Sequence, residues 1–168
     1  MSVRRGLGMT KNEEIARSIA LVLPLLLLLG ALGSQFLGGL YPCEMCHWQR
    51  WPHYSAVLLA AATFVVPQRS LRASLVLVAA LLIGISGAIG LFHAGVEYHW
   101  WNGITACTTT VSMAGTTPAE RLAAIMNAPM VRCDSAQWSL AGISLAGFNA
   151  IFSLGGAITI FVLMRKTR

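Results

Sequence analysis

The sequence predicts an all-α integral membrane protein: a four-helix bundle with a short outer loop and one long outer loop carrying a short interfacial helix. Three observations predict it. Apolar residues make up 56% of the 168 residues and charged residues only 11%, about half the charged share of a soluble domain. Four stretches, residues 18–43, 51–68, 73–96 and 135–164, hold no Asp, Glu, Lys or Arg, and crossing hydrocarbon takes ~20 apolar residues, with ~17 tolerated. The basic residues are spread along the chain, so the net charge of +6 describes topology and not a nucleic-acid patch. With four spans, Arg4, Arg5, Lys11, Arg17, Arg69, Arg72, Arg165, Lys166 and Arg168 share one side, against Arg50, Arg121 and Arg132 on the other. By the positive-inside rule both termini are cytoplasmic, and every cysteine faces the outside. In a bacterium this is the periplasm, where disulfides persist.

Each element follows in order. Residues 1–17 form a basic, poorly ordered lead. The first span covers residues 18–40 and is stopped by Gly38, Gly39 and Pro42; its apolar run is longer than a signal-peptide core and lacks a clear cleavage site, so it is expected to be an uncleaved anchor. A short outer loop, 41–51, leads to a second span over 52–66, bracketed by Pro52 and Pro67 and the shortest of the four. A tight inner turn precedes the third span, 71–93, along which Gly84, Gly87 and Gly90 form a stripe that lets a neighbouring helix approach closely. The long outer loop, 94–136, contains Trp100 and Trp101, which suit the membrane interface. Within it, Thr117 caps, Pro118 takes the first helical position and Glu120 completes a capping box. That helix runs to about Asn127, with Leu122, Ile125 and Met126 on one apolar face laid along the membrane surface. The fourth span covers 137–164. The whole chain is one membrane domain.

The chemistry lies in the four cysteines, all in polar gaps: Cys43, Cys46, Cys107 and Cys133. Cysteine normally packs inside, so this placement points to thiol chemistry at a membrane surface. Cys43-Glu44-Met45-Cys46 can close and reopen a small disulfide, which spans too short a loop to serve as a staple. Three other readings compete. His47 completes the CxxCH pattern of covalent haem attachment, which leaves Cys107 and Cys133 without a role. Cys43, Cys46, His47 and His53 offer zinc ligands, although thiolates are poorly protected in an oxidising compartment. Cys107 and Cys133 suit a structural disulfide in a membrane scaffold. Against these, two dithiol pairs on one membrane face can exchange by thiolate attack. Arg50, four residues after Cys46, can lower a thiol pKa and hold a polar oxygen, and Trp48, Trp51 and Tyr54 add aromatic surface to the same corner, as belt residues or as the wall of a flat ring.

Residues 39–52, Gly-Leu-Tyr-Pro-Cys-Glu-Met-Cys-His-Trp-Gln-Arg-Trp-Pro, resemble the signature of the disulfide-bond formation protein B (DsbB) family. His93-Ala94-Gly95-Val96-Glu97, the Trp100–Trp101 pair, Cys107, and Arg132-Cys133-Asp134 before the last span are similar to it too. The resemblance covers about residues 15 to 164. It implies a bacterial inner-membrane thiol:quinone oxidoreductase that reoxidises a periplasmic thioredoxin-like (DsbA-like) dithiol oxidase. Electrons pass to ubiquinone or menaquinone, with no haem or metal. On it, Cys107 takes the mixed disulfide with the partner, Cys133 attacks Cys43, Cys46 remains as the thiolate facing quinone, Arg50 stabilises that charge, and His93 is a quinone contact or an interfacial residue. A vitamin K epoxide reductase-like enzyme does similar chemistry in four helices, but with the quinone-facing pair late in the chain. Glu44 departs from the family, in which an apolar residue is more familiar between the paired cysteines, and a carboxylate there is expected to raise the thiol pKa values.

Overall fold

The computed structural model describes residues 9–105, 117–127 and 131–166. Four long helices form the bundle: α1 (Lys11–Phe36), α2 (Glu44–Ala62), α3 (Arg69–Glu97) and α5 (Leu145–Arg165), with a short α4 (Pro118–Asn127) in the long loop. α3 packs on α5 and α2, and α1 closes the ring against the same two helices. Three of them, α1, α3 and α5, are long and apolar enough to cross a membrane. α2 has 19 residues, a length of about 28 Å at 1.5 Å per residue.

Its side chains are arranged for lipid. The core is built from small residues, with Ala16, Ala20, Ala56, Ala60, Ala79, Ala80 and Ala157 buried around Ile83 and Ile160. Large apolar side chains point outward, among them Leu26, Leu29, Leu58, Leu81, Ile151 and Ile158. In water this arrangement would leave most of the hydrophobic driving force unused. In lipid, helices associate by close backbone approach, and small residues permit it. The glycine stripe of α3 serves this fit: a Cβ on Gly87 would lie 2.9 Å from Leu154, and one on Gly90 3.0 Å from the Ala146 carbonyl, both on α5.

Helix boundaries differ from the sequence expectations, each for a local reason. α1 starts seven residues early, inside the stretch expected to be a loose lead. Thr10 and Glu13 form a reciprocal capping box there, and Glu13 pairs with Arg69 at 3.0 Å. It ends at Phe36, with Gly39 at φ 66° turning the chain. α2 starts at Glu44, so most of the expected loop 41–51 is helix and Pro52 lies within it. Cys43 is the N-cap, its sulfur accepting from the Cys46 N–H at 3.3 Å, and Glu44 places an acid on the positive end of the helix dipole. α5 begins at Leu145 and not near residue 137, because residues 139–144 fold as a two-residue-strand hairpin, β1 (Ser139–Leu140) and β2 (Ile143–Ser144). Ala141 and Gly142, at φ 52° and 77°, give the pair of positive φ values of a tight hairpin turn. α4 has the expected bounds. Glu120 N–H donates to Thr117 Oγ1 at 3.3 Å, and the Thr117 N–H to Glu120 at 2.9 Å. Leu122 and Met126 on it are exposed.

Candidate dithiol site at the head of the bundle

Cys43 and Cys46 lie at the N-terminal end of α2, ahead of its apolar part. One helical turn brings their sulfurs to 2.9 Å, unbonded. A disulfide needs about 2.05 Å, so closure requires only a small movement. The pair holds one proton tightly and releases the other easily. Cys46 lies below the usual thiol range, chiefly because the Cys43 thiol donates to it and with help from the Arg50 charge, against burial and Glu97. Cys43 is pushed well up by the same bond to Cys46 and by burial. Glu97, one turn beyond His93 on α3, is a carboxylate that acts on Cys46, and Glu44 is exposed at the helix start.

Cys133 joins this pair from the long loop. It is 2% exposed and packs with Cys43, Met45 and Val96 in one apolar cluster. The Thr105 hydroxyl donates to its sulfur at 3.3 Å. Arg132 clasps Asp134 through two bonds of 2.9 and 2.7 Å, which tightens the turn carrying Cys133 and holds the Asp134 carboxyl below its usual range. Cys107 lies outside the described residues.

His93 is buried, with Nε2 3.5 Å from Cys43 Sγ and 3.7 Å from Glu97. Its orientation is set by Gln49, whose Nε2 donates to His93 Nδ1 at 2.8 Å and to the Met45 carbonyl at 3.2 Å. With Nδ1 accepting, a neutral ring carries its proton on Nε2, so the N–H is directed to the Cys43 sulfur. Arg50, also buried, is anchored by Gln35 and by the Ala31 carbonyl at 2.5 and 3.1 Å.

Beside the pair runs a cleft of about 190 Å³, lined by Cys46, Gln49, Arg50, His53 and Asn149 together with Leu26, Leu27, Leu28, Leu145 and Phe148. An apolar slot with a few convergent polar groups suits a flat ring bearing carbonyl oxygens. Trp48, Trp51 and Tyr54 do not line it. Their exposed rings fit the belt reading, and Phe148 supplies the aromatic wall. His93 borders a narrower cleft over the same two sulfurs.

Sequence reasoning brought Cys43, Cys46, Cys133, Arg50 and His93 forward, and all five meet here. It missed the polar residues behind them: Gln49, Ser86, Glu97, Asn149 and Ser153. Spacing was the available signal for Gln49 and Glu97 alone, since Gln49 shares one face of α2 with Cys46, Arg50 and His53, and Glu97 one face of α3 with His93. Among the described residues, the group able to hold a metal is Cys43, Cys46 and His93, in place of the His47 and His53 considered from sequence.

A dithiol, buried at Cys43 and half-buried at Cys46, under a polar network in a lipid-facing bundle defines a membrane redox protein acting on disulfides. The family model of disulfide bond formation protein DsbB matches residues 13–163. The chain belongs to that family, the membrane disulfide oxidoreductases linked to quinone. No curated protein and no solved structure matches it. Nothing in this supports the haem reading of the CxxCH segment.

Proposed function

We propose that this protein reoxidises a periplasmic thioredoxin-like dithiol oxidase and delivers the electrons to membrane quinone, ubiquinone or menaquinone. The observation that carries the reading is the packing of Cys133 against the Cys43–Cys46 pair, with the Arg50 cleft alongside. The chain crosses the bacterial inner membrane four times, α2 included, with both termini cytoplasmic and the cysteines periplasmic. α4 lies on the outer membrane surface through Leu122 and Met126. Labelling of Cys46 in intact spheroplasts by a membrane-impermeant maleimide tests the orientation; labelling only after lysis from the cytoplasmic side contradicts it.

Residue roles follow from chemistry. A partner thiolate attacks Cys107 of a Cys107–Cys133 disulfide, forming the mixed disulfide and expelling Cys133 as a thiolate, and the partner's second thiol then closes its own disulfide and releases Cys107. Cys133 then attacks Cys43, and Cys46 leaves as a thiolate. The His93 N–H polarises the Cys43 sulfur, and Arg50 balances charge on Cys46. When Cys107 attacks Cys133, Cys43 departs as a thiolate and takes up a proton, so the pair ends reduced. Cys46 and Arg50 would hold the quinone from one side, and His93 borders the site from the other. A bound quinone supplies the acceptor for two electrons and two protons.

Reconstitution with reduced partner protein and ubiquinone, followed by quinone absorbance, tests the assignment. Loss of absorbance in step with partner disulfide is expected; no loss with a competent partner overturns it. The Cys43, Cys46 and His93 cluster favours one other reading, a zinc site. Stoichiometric zinc in purified protein, with thiols protected from alkylation until a chelator is added, would support that reading instead.

A further inference from the structure

Behind the dithiol, α2, α3 and α5 enclose a hydrogen-bonded network whose polarity can be read atom by atom. Asn149 Nδ2 donates to Gln49 Oε1 at 2.8 Å and to the Ser86 carbonyl at 3.1 Å. Asn149 Oδ1 is therefore an acceptor, and it takes the Ser153 hydroxyl at 2.9 Å. The Ser86 hydroxyl donates to the Gln49 carbonyl at 2.7 Å. His53 Nε2 faces all three oxygens: Asn149 Oδ1 at 3.0 Å, Ser86 Oγ at 2.9 Å and Ser153 Oγ at 3.4 Å. Both hydroxyls already donate elsewhere and the amide oxygen cannot donate, so each of the three can only accept. The ring must carry its hydrogen on Nε2.

The consequence falls on Nδ1. In a ring with one N–H it is a bare lone pair, and this atom is buried without a partner. His53 is 3% exposed and lines the same cleft as Cys46 and Arg50. A buried acceptor left unpaired is unfavourable, and its complement is a hydroxyl group. The oxidised ring of a quinone offers oxygens that only accept; the reduced ring offers hydroxyls that donate. Resting on the quinone reading above, we propose that His53 Nδ1 accepts a hydrogen bond from a hydroxyl of the reduced ring, so that the cleft favours quinol over quinone. The Asn149, Ser86 and Ser153 oxygens act as positioning groups that fix the tautomer.

The test is equilibrium binding. Glutamine at this position can put a donor nitrogen where Nε2 stands and has no counterpart to Nδ1. Purified wild type and His53→Gln are titrated anaerobically with ubiquinol-1 and separately with ubiquinone-1, reading tryptophan fluorescence, with the melting temperature of each protein recorded. The expected result is about a tenfold rise in Kd for ubiquinol-1, the scale of one hydrogen bond to a buried group, and a smaller change for ubiquinone-1. Equal affinities in the two proteins, or equal losses for both ring forms, overturn the proposal. If His53→Gln melts far below wild type, His53→Asn, which can place an amide atom where Nδ1 stands, is titrated instead. Retention of the wild-type preference for ubiquinol-1 is then expected, and its loss counts against the assignment. Failure of wild type to bind either ring form overturns the quinone reading itself.

Discussion

The two halves of the bundle use the same helices in opposite ways. In the half around Ala60, Ala80 and Ile160, α1, α2, α3 and α5 meet mainly through the close fit of small apolar side chains, with the Glu13–Arg69 ion pair at its edge. In the half around Gln49, Asn149 and His93, the same α2, α3 and α5 meet through buried hydrogen bonds that end on a cysteine sulfur. Lipid cannot satisfy a buried amide or imidazole, so each polar group in that half needs a protein partner. Fixing those partners also fixes which atoms face Cys43 and the cleft. Packing thus belongs to one end of the molecule and chemistry to the other.

The sharpest way to break this contrast is at the sulfurs. Cys46→Ser should lower quinone reduction by about a thousandfold or more, the scale of removing a covalent catalytic group, while Ala60→Gly in the apolar half leaves turnover near wild type. Turnover assays on both variants check it, and comparable losses would erase the distinction. Arg50→Leu should lower kcat/KM for quinone by about ten- to a hundredfold, since one buried charge-assisted group is lost, measured by quinone absorbance at saturating partner.

Two glycines on one stripe sharpen the comparison further. A Cβ on Gly90 would sit 2.9 Å from Asn149 Nδ2 and 3.0 Å from the Ala146 carbonyl, whereas one on Gly84 meets only Ala157 at 3.5 Å. Gly90→Ala should destabilise by about 1–3 kcal/mol through overpacking, and Gly84→Ala by about 0.5 kcal/mol or less. Thermal unfolding in detergent separates them. The smallest effect concerns proton affinity. Cys43→Ala removes the thiol that donates to Cys46, so the Cys46 pKa should rise and its alkylation by iodoacetamide should move to higher pH. An unmoved profile would mean that Arg50 alone sets the thiolate.

Much of this was legible in the sequence. The bundle, the α4 capping box and the dithiol residues were expressed as charge-free runs, as Thr117–Glu120 spacing, and as cysteines in polar gaps. Helix starts were less legible, because the spans were bounded by charge. Glu13 and Glu44 both sit inside first turns, where acids are favoured by the helix dipole, so a charge-based boundary falls short of the true start. The hairpin over 139–144 was hidden by its uncharged composition. The network around Asn149 was invisible because its bonds join residues up to 100 positions apart, and no local spacing announces them. The charge of Glu97 on Cys46 was not legible either, because the two residues are distant in sequence and near in space.

On the proposed function, Cys43 and Cys46 form the electron outlet to quinone. The most direct measurement uses a Cys107→Ser, Cys133→Ser double variant, reduced, freed of reductant, and mixed anaerobically with one equivalent of ubiquinone-1. Single-turnover loss of quinone absorbance, matched by a Cys43–Cys46 disulfide in peptide mass mapping, is the predicted result. Quinone left unreduced, or reduced while both thiols remain free, would contradict the account.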